Sequence, residues 1–191
     1  MNRHALEPPF PKGLQPARAA RPPGYPAELE RSWVLRDGRS AFARPIVPAD
    51  ELIIERQWRQ ADAETLYQRF FTAQPKLDAR RLHSLVHVDY RWRLALAAFA
   101  GDSQGIGVAR YEGKPRADQA EIALVVHQDW RRAGLASALL GLLIEAARAR
   151  DIRRLTALCL QDNQAMTGLL DRFGFERPTA DAGIATATKT L

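Results

Sequence analysis

Cysteine is nearly absent from this chain of 191 residues, with Cys159 standing alone in "LTALCL". A disulfide within the chain is therefore excluded, and cysteine usage gives no sign of an oxidising compartment. Long hydrophobic runs are missing too. No stretch approaches the roughly 18 apolar residues of a membrane span, and the first residues lack the apolar region of a signal peptide, so the expected setting is cytoplasmic and away from any membrane. Proline is scarce after residue 50 and dense before it, above all in "EPPFPKGLQPARAARPPGYP". About the first 27 residues therefore cannot form a continuous helix or central strand, and they read as a flexible tail ahead of one domain over 28–191. Acidic residues are outnumbered, 22 against 28 Lys and Arg, which leaves a net charge of +6. Such a balance points to an acidic partner: nucleic acid, an anionic surface or a phosphorylated cofactor. Nucleic acid would call for clustered Lys and Arg interleaved with exposed aromatics, and the tail offers only scattered arginines, so nucleic acid is not the expected partner.

What is present is a long alternation of apolar patterns. "SWVLRDGRSAFARPI" places Asp37-Gly38 between two alternating segments, a hairpin signal. "PADELIIERQWRQADAETLYQRFF" and, after the break at Pro75, "LDARRLHSLVHVD" repeat at helical spacing and predict two or three helices. "RLALAAFA", "GIGVARYE" and "AEIALVV" then predict a three-strand meander. Leu135, Leu139, Leu142, Leu143 and Ala146 mark one face of a helix, and "IRRLTALCL" reads as a buried strand. "NQAMTGLLDRF" predicts a helix stopped at Gly174, and "GIATATKT" a last strand. This order gives a mixed α/β fold, an α+β sheet with helices around it.

Between the third meander strand and the following helix lies "DWRRAGLA". A strand running into a helix through glycine leaves the first amides of the helix unpaired, and these donors, with the helix dipole, favour an anion. Gly134 leaves room for that anion, and Arg131 and Arg132 supply counter-charge. Spacing alone equally allows a surface turn with two solvated arginines.

Arg131-x-x-Gly134-x-Ala136, directly after "ALVV", resembles the R/Q-x-x-G-x-G/A signature of the GNAT superfamily of acyl-CoA N-acyltransferases. Asn163, Met166, Arg172 and Gly174-Phe175 resemble the helix and "GF" that close that fold. The opening "LRDG…RPI", the "RFF" helix and "VDY" are most similar to the GNAT domain of bacterial protein lysine acetyltransferases. The resemblance implies a central, mostly antiparallel twisted sheet flanked by helices, with a splayed strand pair that receives acetyl-CoA. It further implies that the backbone of Leu124, Val125 and Val126 pairs with the pantetheine arm like an added strand. The amides of Arg131, Arg132, Ala133, Gly134, Leu135, Ala136 and Ser137 would hold the pyrophosphate. Asn163 would contact the cofactor or cap its helix, or do both.

Transfer to a lysine amine requires a neutral nucleophile, yet with a pKa of about 10.4 only about one lysine in 2,500 is neutral at pH 7. A carboxylate can remove the proton. Glu121 is the candidate general base, because it is acidic within an apolar strand, where partial burial would make it a better base, and because related acetyltransferases often carry glutamate there. A solvated strand end or an ion pair with Arg91 or Arg93 is the structural alternative. A strand amide freed by a bulge near Val125 would stabilise the oxyanion. Leu170 stands where many relatives have a tyrosine acid, so the thiolate would leave unassisted.

Other candidates are weaker. His83 and His87 lie four apart on a predicted helix without a neighbouring Cys or acidic pattern, so no metal site is expected. His127 follows "LVV" and faces either the thioester or solvent. Cys159 reads as a small buried hydrophobe, and Trp33, Trp58, Trp92 and Trp130 as core or interface. The expected acceptor is a protein lysine; a small amine, or a non-catalytic CoA-binding module, is the alternative. The oligomeric state is not legible.

Overall fold

The computed structural model describes residues 20–72, 74–101, 104–176 and 179–191. The strands are β1 (Arg31–Val34), β2 (Ser40–Pro45), β3 (Arg93–Ala100), β4 (Gln104–Gly113), β5 (Gln119–Val126), β6 (Arg154–Leu160), β7 (Thr179–Asp181) and β8 (Ile184–Thr190). Between them run α1 (Glu51–Gln60), α2 (Ala63–Phe70), α3 (Ala79–Val86), α4 (Leu135–Arg148) and α5 (Gln164–Arg172). The strands form one eight-stranded sheet in the order β1-β2-β3-β4-β5-β6-β8-β7. All pairs are antiparallel except β5 with β6, which the α4 crossover makes parallel. Most of the expected tail lies outside the described residues. From residue 20 onward, Tyr25 packs edge-on against Tyr90 at 5.9 Å and its hydroxyl donates to Glu30.

The hairpin forms where Asp37-Gly38 predicts it, with Gly38 at φ +83°, a left-handed conformation that suits glycine. Three helices follow, because Asp62 and Asp78 each cap a new helix by accepting the amide three residues later, from Thr65 and Arg81. The meander β3-β4-β5 is the centre of the sheet. α4 lies across one of its faces: Leu135, Leu139, Leu142, Leu143 and Ala146 are all buried there, and Leu140, Ile144 and Ala147 bury a second side of the helix. Its close approach depends on Gly107, where a Cβ would stand 3.1 Å from the Val125 carbonyl and 3.4 Å from Leu139. The other face carries α1 and α3 over Ile46, Ile54, Val86 and Ala95. A buried ion pair closes that side: Arg44 donates two hydrogen bonds, 2.8 and 2.7 Å, to Asp50.

One expected irregularity lies elsewhere. The β4–β5 register runs unbroken from Gly107↔Val126 to Gly113↔Ala120, so no bulge interrupts β5 at Val125. The shift occurs between β3 and β4 instead, where Ala98 faces Gly107 but Phe99 faces Gly105. The intervening Ile106 is the extra residue, and it is fully buried.

Candidate active site

β5 and β6 pair only from Gln119↔Arg154 to Ile122↔Ala157. Beyond Ile122 the strands part: Leu158 to Leu160 continue along β8, and Ala123 to Val126 continue along β4. The edge of β5 that faces β6 is thus left without a strand partner at Leu124, Val125 and Val126. A cleft of about 920 Å³ opens there, lined by these three residues and by Glu121, Gly134, Ser137 and Asn163 among others. A smaller cavity of about 110 Å³ under α1 and α2 meets it at Val125 and Val126.

At the broad end of the cleft stands the start of α4. The first hydrogen bond of the helix runs from the Ala138 amide to the Gly134 carbonyl. The amides of Arg132, Ala133, Gly134, Leu135, Ala136 and Ser137 therefore have no partner among the described residues, whereas that of Arg131 is taken by the Gln128 carbonyl. Arg132 at φ +62° and Gly134 at φ +96° both sit in the left-handed region and curl these donors into a nest, a concavity suited to an anion. Ala133 and Leu135 contribute backbone alone, since their side chains are buried at 4% and 1% exposure. Arg36 braces the loop from behind, its amide donating to the Ala133 carbonyl at 3.0 Å. Arg36, Arg131, Arg132 and Arg172 all border the cleft, which makes this end cationic.

The arginines do not act alike. Arg131 turns from the nest and donates to the Thr65 hydroxyl at 2.6 Å, while Thr65 donates to Asp62 at 2.8 Å. The amide of Thr65, then its hydroxyl, hold the Asp62 carboxyl below the usual carboxylate range, and Arg131 adds to the effect. Helix α2 thereby becomes part of the cleft wall through Thr65 and Arg69, four residues apart on one helix face. Sequence reasoning missed this wall, and the Asp62-x-x-Thr65 cap was its available signal.

Glu121 lies at the narrow end, in register with Thr156 just before the strands part. It is exposed in the cleft, so the partial burial expected for it is not found. The alternation of β5 explains this: Ala120 and Ile122 point into the core under α4, and Glu121 points to the opposite face. Neither Arg91 nor Arg93 pairs with it; Arg93 binds Glu112 at 2.6 Å. The cation that senses Glu121 is Arg69, whose own pKa is brought down to about 10, first by burial and then by Arg110, against the pull of Glu121.

Asn163 caps α5, its Oδ1 accepting the Met166 amide at 3.0 Å, while its Nδ2 faces Gln68 across the cleft. Leu170 is buried at 1% exposure, and Met166 and Leu169 are the residues of that helix turn that face the cleft. Among the described residues, no tyrosine borders it. His127 Nδ1 accepts the Asp129 amide at 3.3 Å and caps a short turn. Cys159 is 2% exposed, and burial pushes its thiol pKa up. Trp130 is buried beneath the Arg39 guanidinium, 3.9 Å from its ring.

A splayed strand pair with an amide nest at the next helix agrees with what sequence comparison finds. Residues 55–175 match the family model described as "Acetyltransferase (GNAT) family". The chain belongs to the GNAT acetyltransferase family. Among its relatives is Acetyltransferase Pat of Mycolicibacterium smegmatis, 33% identical over 78% of this chain. This chain spans 45% of that relative's length. An acetyltransferase of Pseudomonas aeruginosa is 28% identical over 82% of this chain and 87% of its own. The crystal structure of the GNAT domain of S. lividans PAT superposes with a TM-score of 0.81 at 34% identity, covering 87% of this chain and 99% of that one. The fold is thus that of the family, and this GNAT chain has the architecture of an acetyl-CoA-dependent enzyme.

Proposed function

We propose that this GNAT chain, as one catalytic domain over 28–191 in the cytoplasm, moves the acetyl group of acetyl-CoA to an amine of a protein lysine, with Glu121 as general base. The observation that carries this reading is the position of Glu121: a carboxylate open to the cleft, just before the strands part, with no hydrogen bond or ion pair among the described residues. The free edge at Leu124 to Val126 would hold the pantetheine arm, and the amides from Arg132 to Ser137 the pyrophosphate. Asn163 would contact the cofactor with the same side chain that caps α5.

In the reaction, Glu121 accepts a proton from the amine, directly or through water, as nitrogen attacks the thioester carbon. The carbon–sulfur bond then breaks and CoA leaves as thiolate, which suits a cleft without a tyrosine, since a thiol has a pKa of about 8.5. Glu64 on the cleft wall adds a carboxylate that would favour a cationic amine before deprotonation.

The test is Glu121→Gln, assayed with labelled acetyl-CoA against separate pools of peptides and small amines. Turnover on lysine peptides at pH 7.5 should fall about 100-fold or more and recover as the pH approaches the pKa of the free amine, about 10.4, while acetyl-CoA binding stays within about twofold. A variant as fast as the parent removes Glu121 as base. Transfer confined to small amines removes the protein acceptor, and no transfer to any acceptor leaves a CoA-binding module.

A further inference from the structure

On the outer side of the molecule, Glu51 at the start of α1 meets His83 of α3 and His87 at that helix's C-cap, and one ligand atom from each lies within 4.8 Å of the others. Sequence spacing shows only half of this, two histidines one helical turn apart, because the carboxylate arrives from a different helix. The cluster is open to solvent at Glu51 and His83, whose side chains are 41% and 63% exposed. His83 Nδ1 stands 3.6 Å from Glu51 Oε1, and the two imidazole rings stack with centroids 3.5 Å apart. His87 Nδ1 lies 3.0 Å from the His83 carbonyl, a contact that makes it the N–H donor and leaves Nε2 of His87 with its lone pair outward.

We propose that Glu51, His83 and His87 form a site for a borderline-soft divalent cation of the zinc type, with water completing the coordination. Three features select that chemistry. Two imidazoles and one carboxylate favour zinc, nickel or copper over magnesium and calcium, which prefer all-oxygen ligands. A metal-binding histidine ordinarily donates its second ring N–H to a carbonyl or carboxylate, and His87 already does so. Finally, the ligand atoms need to close to about 3.3 Å for bonds near 2.0 Å, and the stacked rings must swing out of parallel so that both in-plane lone pairs meet the ion, which the exposed His83 and Glu51 side chains can turn to allow. The bound ion would join α1 to α3. Ile54 of α1 and Leu85 of α3 both line the cavity that meets the cleft, so the clip fastens two walls of that cavity.

Untagged full-length protein, stripped with chelator, should bind one zinc ion per chain in isothermal titration calorimetry. His87→Ala and His83→Ala should each weaken binding about tenfold or more, while His127→Ala, away from the cluster, leaves it unchanged. In the parent, zinc at about 100 times its dissociation constant should raise Tm by roughly 5–10 °C, and magnesium should not. The shift should vanish in His83→Ala/His87→Ala. Absence of binding, equal binding by the double variant, or an equal Tm shift with magnesium each overturns the site. Because these readouts need no acetyl-CoA, they stand whether or not transfer is found.

Discussion

The guanidinium of Arg131 donates a 2.6 Å hydrogen bond to the hydroxyl of Thr65, and this bond ties the loop ahead of α4 to helix α2. An arginine of the family signature is thus engaged sideways, across the cleft, and the anion end is left to the amides and to Arg36, Arg132 and Arg172. In the proposed reaction, its contribution to acetyl-CoA binding would be largely to hold the loop in place. A hydrogen bond to a charged group contributes about 1.5–3 kcal/mol, and solvent screening of the half-exposed Arg131, whose partner Thr65 is buried, reduces that to about 1 kcal/mol. Arg131→Ala should therefore raise KM for acetyl-CoA by about fivefold, and Thr65→Val should move it in the same direction. The double variant should show no more than the Arg131→Ala effect, since the two side chains act through one bond. Full additivity in steady-state kinetics would instead assign Arg131 a direct role toward the anion.

Within the protein itself, Gly134 is required for its backbone conformation. With φ at +96°, an L side chain is strained there, while its Cβ would meet Arg36 no closer than 3.6 Å. Gly134→Ala should cost about 1 kcal/mol, lower Tm by about 2–4 °C and weaken acetyl-CoA binding as the nest opens. Gly168 supplies the contrast. It lies inside α5 with nothing within 4 Å of a Cβ, so Gly168→Ala should raise Tm by a few degrees through helix propensity, about 0.5–1 kcal/mol. Thermal denaturation of both variants checks the pair, and equal losses would contradict it.

These two glycines also show what was legible in the sequence. Gly134 announces the loop because a strand-to-helix turn with unpaired amides has a local signature, and the hairpin at Gly38 and the helix stop at Gly174 are local in the same way. The face of α4 followed from periodicity, as did β3, β4 and β5. The remainder depends on which strands neighbour each other. The free edge at Leu124 arises because β6 leaves β5 after Ala157 to follow β8, and no pattern within β5 records that. The exposure of Glu121 depends on which face α4 covers, and the Glu51 cluster and the Thr65 wall depend on helices packing across the sheet. The three-residue β7 was too short for any pattern to mark.

The buried pair of Arg44 and Asp50 sets the cost of disturbing the junction between β2 and α1. Burial opposes the charge on Arg44, but its bonds to Asp50 prevail and raise its pKa. Asp50 also accepts the Val47 amide at 2.8 Å, so the carboxylate is fully used. Removing one member leaves the other charged and unpaired, which costs about 3–5 kcal/mol. Asp50→Asn should therefore lower Tm by roughly 6–20 °C, read by circular dichroism. Replacing both residues by apolar ones of similar volume should recover much of that loss, because no charge then stays buried. A double variant as unstable as the single one would show that shape, rather than charge, dominates.

Cys159 offers a discriminating test of direct transfer. An acyl-cysteine route needs a thiolate that reaches the thioester. Here the side chain is 2% exposed and burial raises its pKa, so the neutral thiol prevails at working pH. Native protein should react with a disulfide reagent such as DTNB far more slowly than urea-unfolded protein does. Cys159→Ala should lose a little stability, about 1 kcal/mol, from the small cavity it leaves, while kcat stays within about twofold. A loss of 100-fold or more with an intact fold would instead require a covalent intermediate, and it would displace Glu121 from the first step to the second. Burst kinetics separate the two outcomes, since direct transfer releases CoA only in step with the acetylated acceptor, whereas an acyl-enzyme releases one equivalent before any acceptor is added.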